Sequence, residues 1–413
     1  MRFCFKAGGK FTIYQPIILY RKFTADYIFN GHEILHSPAV LITDGAGTVA
    51  EIVNAEEAGE DVEVFTGLLT PGFVNAHCHL ELSHLKGRVP EGTGLVNFVQ
   101  QVMSSRAATA EVKQEAMLTA QGEMYERGIV AVGDICNTPD SIAAKQRSKL
   151  LWHNFMEVSG FFDAVADIRL DEIAKIYGQF KATKTLQKVS LSPHAPYSVS
   201  KKLFQLLNKE TKGQIITIHN QECAAENDLY QHKTGGFLAL YKNFGIDISA
   251  FEPSGKTSMQ TWLPYFTNQQ SIISVHNSFT DEEDVTFADK HLQDSKQQLF
   301  YCLCVNANQY IEQKMPSIDL LRRSNCNIIL GTDSYASNYQ LNILEEIKTI
   351  QQQTNYAVPL PELLQWATIN GARALQFDKI IGSFEKGKRP GVVLIEGLHN
   401  LQTTLQSVAR RLV

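Results

Sequence analysis

Thr70-Pro71-Gly72-Phe73-Val74-Asn75-Ala76-His77-Cys78-His79-Leu80-Glu81 is the stretch around which the rest of the chain is arranged. Pro71 and Gly72 punctuate its entry, and Phe73-Val74 is a short apolar run. It therefore reads as a buried strand opening into a loop. Residues i and i+2 of an extended chain point to the same side. His77 and His79 can thus aim both imidazoles at one point, where neutral ring nitrogens could bind an ion such as Zn²⁺. Cys78 between them should point the other way, into the core. Two histidines flanking a cysteine can also be merely packed or solvated. The decision rests on what later strands deliver.

Downstream, apolar runs alternate with helical spacing. Residues 95–103 and 112–126 have helical periodicity, the second ending at Arg127-Gly128, a basic end and a glycine stop. Strand-like apolar runs follow at 129–135, 150–158, 187–191, 214–219, 271–276, 298–305 and 327–330. With the strand at Phe73 these make eight, separated by helical connections such as 201–207 and 341–353. Fully apolar strands in repeated β-then-α units imply a parallel sheet covered on both faces. Eight units imply a closed (β/α)₈ TIM-type barrel over residues 69–379, with its active site at the strands' carboxyl ends. An open doubly wound sheet fits less well, since no Gly-x-Gly-x-x-Gly follows an early strand.

Before the barrel, residues 25–68 hold short alternating segments broken by Gly31, Gly45 and Gly47. Together with residues 380–413 they are expected to build a small β-sandwich. Residues 54–61 read as an acidic, solvated loop. Residues 1–24 are basic and aromatic; they form an extension to which the sequence assigns no role.

Composition narrows the function classes. At 413 residues the chain can bury a large core, and a net charge of −5 gives no electrostatic reason to expect nucleic acid or acidic membrane as a partner. No run of about 18 apolar residues exists, so no membrane span is expected. Seven scattered cysteines without a Cys-x-x-Cys fit unpaired thiols in a reducing cytoplasm.

The strand ends carry the chemistry. Pro193-His194-Ala195-Pro196-Tyr197 closes the fourth strand and His219-Asn220-Gln221-Glu222 the fifth. His276-Asn277 closes the sixth, and Gly331-Thr332-Asp333-Ser334 the eighth. One histidine at a strand end is most often structural; histidine or aspartate at five of eight is hard to produce by chance. With Ala367-Thr368-Ile369-Asn370-Gly371-Ala372-Arg373 and Gly382-Ser383-Phe384-Glu385-Lys386-Gly387-Lys388, these motifs resemble the amidohydrolase superfamily. Within it, the branch is that of mononuclear-metal aminohydrolases, which includes adenosine-type deaminases and chlorohydrolases. His79-Leu80-Glu81-Leu82-Ser83 and residues 304–312 look most like aminodeoxyfutalosine deaminases, although Val305 stands where those usually carry proline. The binuclear branches need a bridging lysine or glutamate at the fourth strand, which here ends in Pro193-His194.

The resemblance implies one divalent metal ion, Zn²⁺ before Fe²⁺, held by His77, His79, His219 and Asp333. It implies hydrolytic deamination of a purine-type ring, with Glu222 as the proton donor to a ring nitrogen. His276 and Asp333 would handle the proton of a hydroxide that the metal makes available near neutral pH. His194 and Glu81 are substrate-binding candidates, each with a structural alternative: a hydrogen bond across the barrel mouth, and an ion pair with Arg88. Glu222 has its own bland reading, a carboxylate in a helix's first turn. Glu226 reads as part of a solvated helix face. The resemblance further implies a small-molecule substrate and a homodimer. Two other functions stay open: a chlorohydrolase or cyclic amidohydrolase of the same superfamily, and a catalytically silent metal-binding scaffold.

Overall fold

The computed structural model describes residues 19–36, 38–183, 187–293, 295 and 297–413. Residues 1–18, most of the extension left without a role, lie outside them.

Eight parallel strands follow one another in chain order. Phe73–Cys78, Ile129–Cys136, Leu151–Val158 and Gln187–Pro193 pair consecutively into one half. Ile215–Asn220, Ser271–His276, Gln298–Leu303 and Asn327–Leu330 form the other half in the same manner. The halves join at two seams. At one, the His219 N–H donates to the His194 carbonyl at 2.9 Å. At the other, the Thr332 and Asp333 N–H groups both donate to the His77 carbonyl at 3.1 Å, and Cys78 bridges to Asp333. The sheet closes into a (β/α)₈ barrel, and both seams are drawn shut at its carboxyl end.

The apolar runs explain this closure. Inside the barrel Val74, Ala76, Ala131, Phe155, Ile273 and Ile329 pack as one cluster. On the outer face Trp152, Met156, Ile216 and Leu330 meet the surrounding helices. Each large side chain so buried contributes roughly 1.5–3 kcal/mol. Small residues are required where strands crowd. A Cβ on Gly331 would lie 2.9 Å from Cys302 Sγ and 2.9 Å from His77 Cβ, so only glycine lets the last strand pass behind that histidine.

Two further sheets lie at the chain ends. Val49–Asn54, Ala39–Asp44, Tyr20–Thr24 and Val62–Val64 form one. Val408–Arg411, Val392–Glu396, Leu68–Pro71, Tyr27–Phe29 and Ile34–His36 form the other. Phe23, Leu41, Leu69 and Leu394 pack in a shared core. Tyr20–Thr24 thus turns the end of the supposed extension into an interior strand, hydrogen-bonded on both edges. The acidic stretch after Asn54, read as a loop, contains a helical turn over Ala55–Ala58. Arg411 ties this unit to the barrel, donating to the carbonyls of Tyr125 (2.9 Å) and Ile129 (2.6 Å).

Candidate metal centre and active site

His77 and His79 leave the first strand on the same side, their Nε2 atoms 3.2 Å apart. His219, at the end of the fifth strand, brings its Nε2 to 3.2 Å from that of His79. Asp333, just past the eighth, places Oδ1 3.3 Å from His79 Nε2 and 3.4 Å from His77 Nε2. Four of the separations among these donor atoms, which come from three strands, are 3.2–3.4 Å. The centre of a regular tetrahedron with such edges lies about 2.0 Å from each corner, which is the Zn–N and Zn–carboxylate distance. Ring nitrogens facing one another this closely cannot all be satisfied by one another's protons; a shared cation satisfies them together.

The protonation states agree with that fit. Burial lowers His77 to about 3, against the opposing pull of Asp333, and holds His79 well below its usual value. Both imidazoles are therefore neutral, with lone pairs to give. For Asp333, burial works against ionisation, but the His77 contact and the surrounding imidazoles outweigh it and keep the carboxylate charged. His219 donates from Nδ1 to the His194 carbonyl at 2.8 Å, leaving Nε2 bare. The Asp333 Oδ2 accepts from the Ser337 hydroxyl, so Oδ1 alone faces the cluster. These residues fit a single divalent ion.

The strand ends are held in unusual backbone conformations. His276 (φ 73°), Asn277 (φ 57°), Asp333 (φ 56°) and Gln221 (φ 47°) all occupy the left-handed region. Non-glycine residues there carry strain of order ~1–3 kcal/mol each. A polar lattice maintains them. The Asn277 N–H donates to the Asn220 carbonyl (3.0 Å), the Trp262 indole to Asn220 Oδ1 (2.7 Å), and Ser274 Oγ to Asn277 Oδ1 (2.6 Å).

Glu222 and His276 face each other across the cluster, Oε1 to Nε2 at 3.6 Å. Burial pushes the Glu222 carboxyl up to about 8, with His219 opposing and Asp333 and Glu312 adding to the rise. Burial therefore favours its protonated form. Asn308 Oδ1 accepts from His276 Nδ1 at 2.8 Å while its amide nitrogen donates to the His276 carbonyl at 3.3 Å. That pair of bonds orients the amide, puts the imidazole proton on Nδ1, and leaves Nε2 as a base. Burial lowers His276 and keeps it neutral. Glu222 precedes the helix Ala224–His232 and is not in its first turn.

A cavity of about 640 Å³ opens over this group, with His194, Glu222, His276 and Asp333 among its lining residues. His194 hydrogen-bonds through Nδ1 to Ser198 Oγ at 2.6 Å. Glu81 is not on the cavity wall. Its carboxylate accepts the backbone N–H groups of Asn137 (3.3 Å) and Thr138 (3.1 Å), and no ion pair with Arg88 forms. Glu226 departs from its expected solvated face: it is fully buried, accepting from the Gln221 N–H at 2.9 Å and from the Ser258 hydroxyl. Cys78 is wholly buried.

Sequence reasoning missed Glu157. It stands at the end of the third strand with its side chain only 7% exposed, lines the cavity, and holds Oε1 3.7 Å from His219 Nδ1. The signal was present: one carboxylate inside the apolar run Phe155-Met156-Glu157-Val158, at the end of a strand where chemistry gathers.

Known proteins share this architecture. A 5-methylthioadenosine/S-adenosylhomocysteine deaminase from Thermoanaerobacter pseudethanolicus is 29% identical over 80% of this chain and 73% of its own. The Helicobacter pylori aminofutalosine deaminase, solved with methylthio-coformycin, superposes with a TM-score of 0.78 at 20% identity, covering 95% of this chain and all of that one. An adenosine deaminase from Xanthomonas campestris with bound zinc gives 0.70 at 21%, over 93% and 86%. The profile of the amidohydrolase family matches residues 68–412, from the last strand before the barrel to the end of the closing sheet. The histidine pair on the first strand and the aspartate that completes its cluster both fall inside that match, and the chain belongs to the amidohydrolase family.

Proposed function

We propose that the protein is a metal-dependent hydrolytic deaminase acting on an amino-bearing ring carbon of a purine-type substrate, an adenine nucleoside or an aminodeoxyfutalosine-like compound. One observation carries the reading: the buried carboxyl of Glu222, which burial shifts toward its protonated form, stands 3.6 Å from the Nε2 of His276 beside the donor set of His77, His79, His219 and Asp333. His77, His79, His219 and Asp333 would hold a divalent ion, Zn²⁺ by the donor set, and such an ion would make a water nucleophilic near neutral pH. The barrel, residues 69–379 in this reading, supplies every one of these groups.

His276 Nε2 and the Asp333 carboxylate take the proton that water loses as its oxygen bonds to the ring carbon. Glu222 gives its proton to the adjacent ring nitrogen, so the carbon becomes tetrahedral without charge building on the ring. Proton return to the amino group then breaks the C–N bond. Ammonia leaves, the hydroxyl proton passes to the Glu222 carboxylate, and the carbonyl form of the ring remains. His194, fixed by Ser198, contributes a wall of the substrate cavity. The relative named for methylthioadenosine and S-adenosylhomocysteine supports an adenine nucleoside as the substrate class. Six free cysteines among the described residues, five of them buried, support a reducing compartment. No helix among the described residues is long and apolar enough to cross a membrane.

Ammonia release tests the reading directly, across adenine, adenosine and 5′-methylthioadenosine. Glu222→Gln keeps the shape but cannot serve as an acid, and is expected to lower kcat by ~10²–10⁴-fold while metal content is unchanged. Near-normal turnover by that variant would place the proton donor elsewhere.

A further inference from the structure

The Glu157 carboxylate lines the cavity and has no part in the proposed chemistry. Its Oε2 accepts from the Asn137 side-chain amide at 2.8 Å. Its Oε1 is buried and has no hydrogen-bond partner. Leaving a buried charged oxygen unpaired is costly, so such an atom in a cavity wall marks a place for a ligand's donor. The carboxylate is also held in position. Asn137 Oδ1 accepts from Arg106 Nη2 at 3.2 Å, which fixes the amide with its NH₂ toward Glu157. Arg106 and Asn137 line the same cavity.

Two other uses of Glu157 are disfavoured by the same geometry. A second metal ion could be imagined between Glu157, His194 and His219, whose ligand atoms lie close together. However, His219 Nδ1 donates to the His194 carbonyl and its Nε2 faces the first cluster, so His219 has no nitrogen left to bind it. A cationic ligand group would have to approach Arg106, one amide away. A neutral hydroxyl donor meets neither obstacle.

We propose that Glu157 is a specificity-determining residue that accepts a hydrogen bond from a sugar hydroxyl of the substrate, with Asn137 and Arg106 as its positioning residues. This rests on the deaminase reading and deepens it. Glu157, Glu222 and His276 line one cavity, so a ring held at Glu222 and His276 leaves Glu157 to a group attached to that ring. The chain thereby selects nucleosides over free bases and ribose over deoxyribose.

The experiment compares adenosine with its 2′-deoxy and 3′-deoxy analogues and with adenine. A hydrogen bond to a charged acceptor contributes ~1.5–3 kcal/mol, so the wild-type protein should prefer adenosine to one of the deoxy analogues by ~10–100-fold in kcat/KM. In Glu157→Gln that ratio should fall to a few-fold, whatever happens to the absolute rates. A merely structural role would lower all rates and leave the ratio in place, which would overturn the proposal. So would a wild-type protein indifferent to both hydroxyls, a result that needs no variant to fold. Turnover of adenine with no gain from the sugar would sink this inference while the deaminase reading stands. Absence of ammonia from every purine would sink both.

Discussion

Glu222 owes its proposed role to burial, and burial has a second consequence. Its carboxyl ordinarily titrates near 4.5, whereas in the folded protein it is pushed up to about 8. Between those values the folded chain holds a proton that the unfolded chain releases. Folding takes up that proton, so this residue's contribution to stability falls as pH rises from about 4.5 to about 8. An amide in its place does not titrate and has no such loss. In metal-free protein, Glu222→Gln is therefore expected to raise Tm relative to wild type, by a larger margin at about pH 8.5 than at about pH 5. Thermal melts of the pair check it, and an equal margin at both pH values would exclude a raised carboxyl. A site residue that lowers stability for the sake of chemistry is a familiar trade. It also explains how such residues could be read in the sequence. His77, His79, His219, Glu222 and Asp333 interrupt apolar strand ends with groups that a core has no use for. Glu157 obeyed the same rule and was passed over because it stands alone, without a neighbouring histidine or proline to mark it. Glu81 shows the converse: next to the ligand motif in sequence, it faces backbone N–H groups behind the cavity wall.

Elements were legible where one period dominated. Buried parallel strands must be apolar on both faces, so eight apolar runs located the barrel strands to within a residue or two. What the pattern could not give was the polar packing between elements. Lys145 lies in the short helix Ile142–Gln146 and looks like an ordinary surface lysine in the sequence. In the structure its ammonium is wholly buried, 2.5 Å from Asp134 Oδ2 and 2.6 Å from Asn154 Oδ1. Asp134, on the second strand, uses its other oxygen to accept the Leu80 N–H at 2.7 Å. That N–H belongs to the residue after His79, so the ion pair backs the turn that aims the histidine. Lys145→Met leaves a buried, uncompensated carboxylate and is expected to cost ~3–5 kcal/mol in urea unfolding. The double change Asp134→Asn with Lys145→Met should recover most of that loss, because no lone charge remains. Equal stability of the single variant and wild type would mean that Asp134 reaches solvent or another cation.

At the scale of the whole molecule, the metal centre coincides with the closure of the barrel. His77 and His79 belong to one half, His219 and Asp333 to the other. The two seams between the halves are hydrogen-bonded at His219 and at His77 with Asp333. An ion shared by these side chains would cross-link the halves at the points where they join. Its binding energy would then appear as global stability, because the unfolded chain cannot assemble donors from residues 77 to 333. Two results are expected. Elemental analysis of the purified protein should give about one divalent ion per chain, since the second cluster of ligand-type residues needs His219, whose Nδ1 is bonded to the His194 carbonyl and whose Nε2 faces the first cluster. Chelation should lower the denaturation midpoint, with readdition of metal restoring it. At free metal of about 1,000 times its Kd the difference would be ~4 kcal/mol. The barrel core is continuous without the ion, so the stripped protein should keep its secondary structure by circular dichroism while losing that margin. Two tightly held ions per chain would contradict the single-site reading. A midpoint unmoved by complete metal removal would show that hydrogen bonds alone secure the seams, and that the histidines are aimed by the fold and not by the ion.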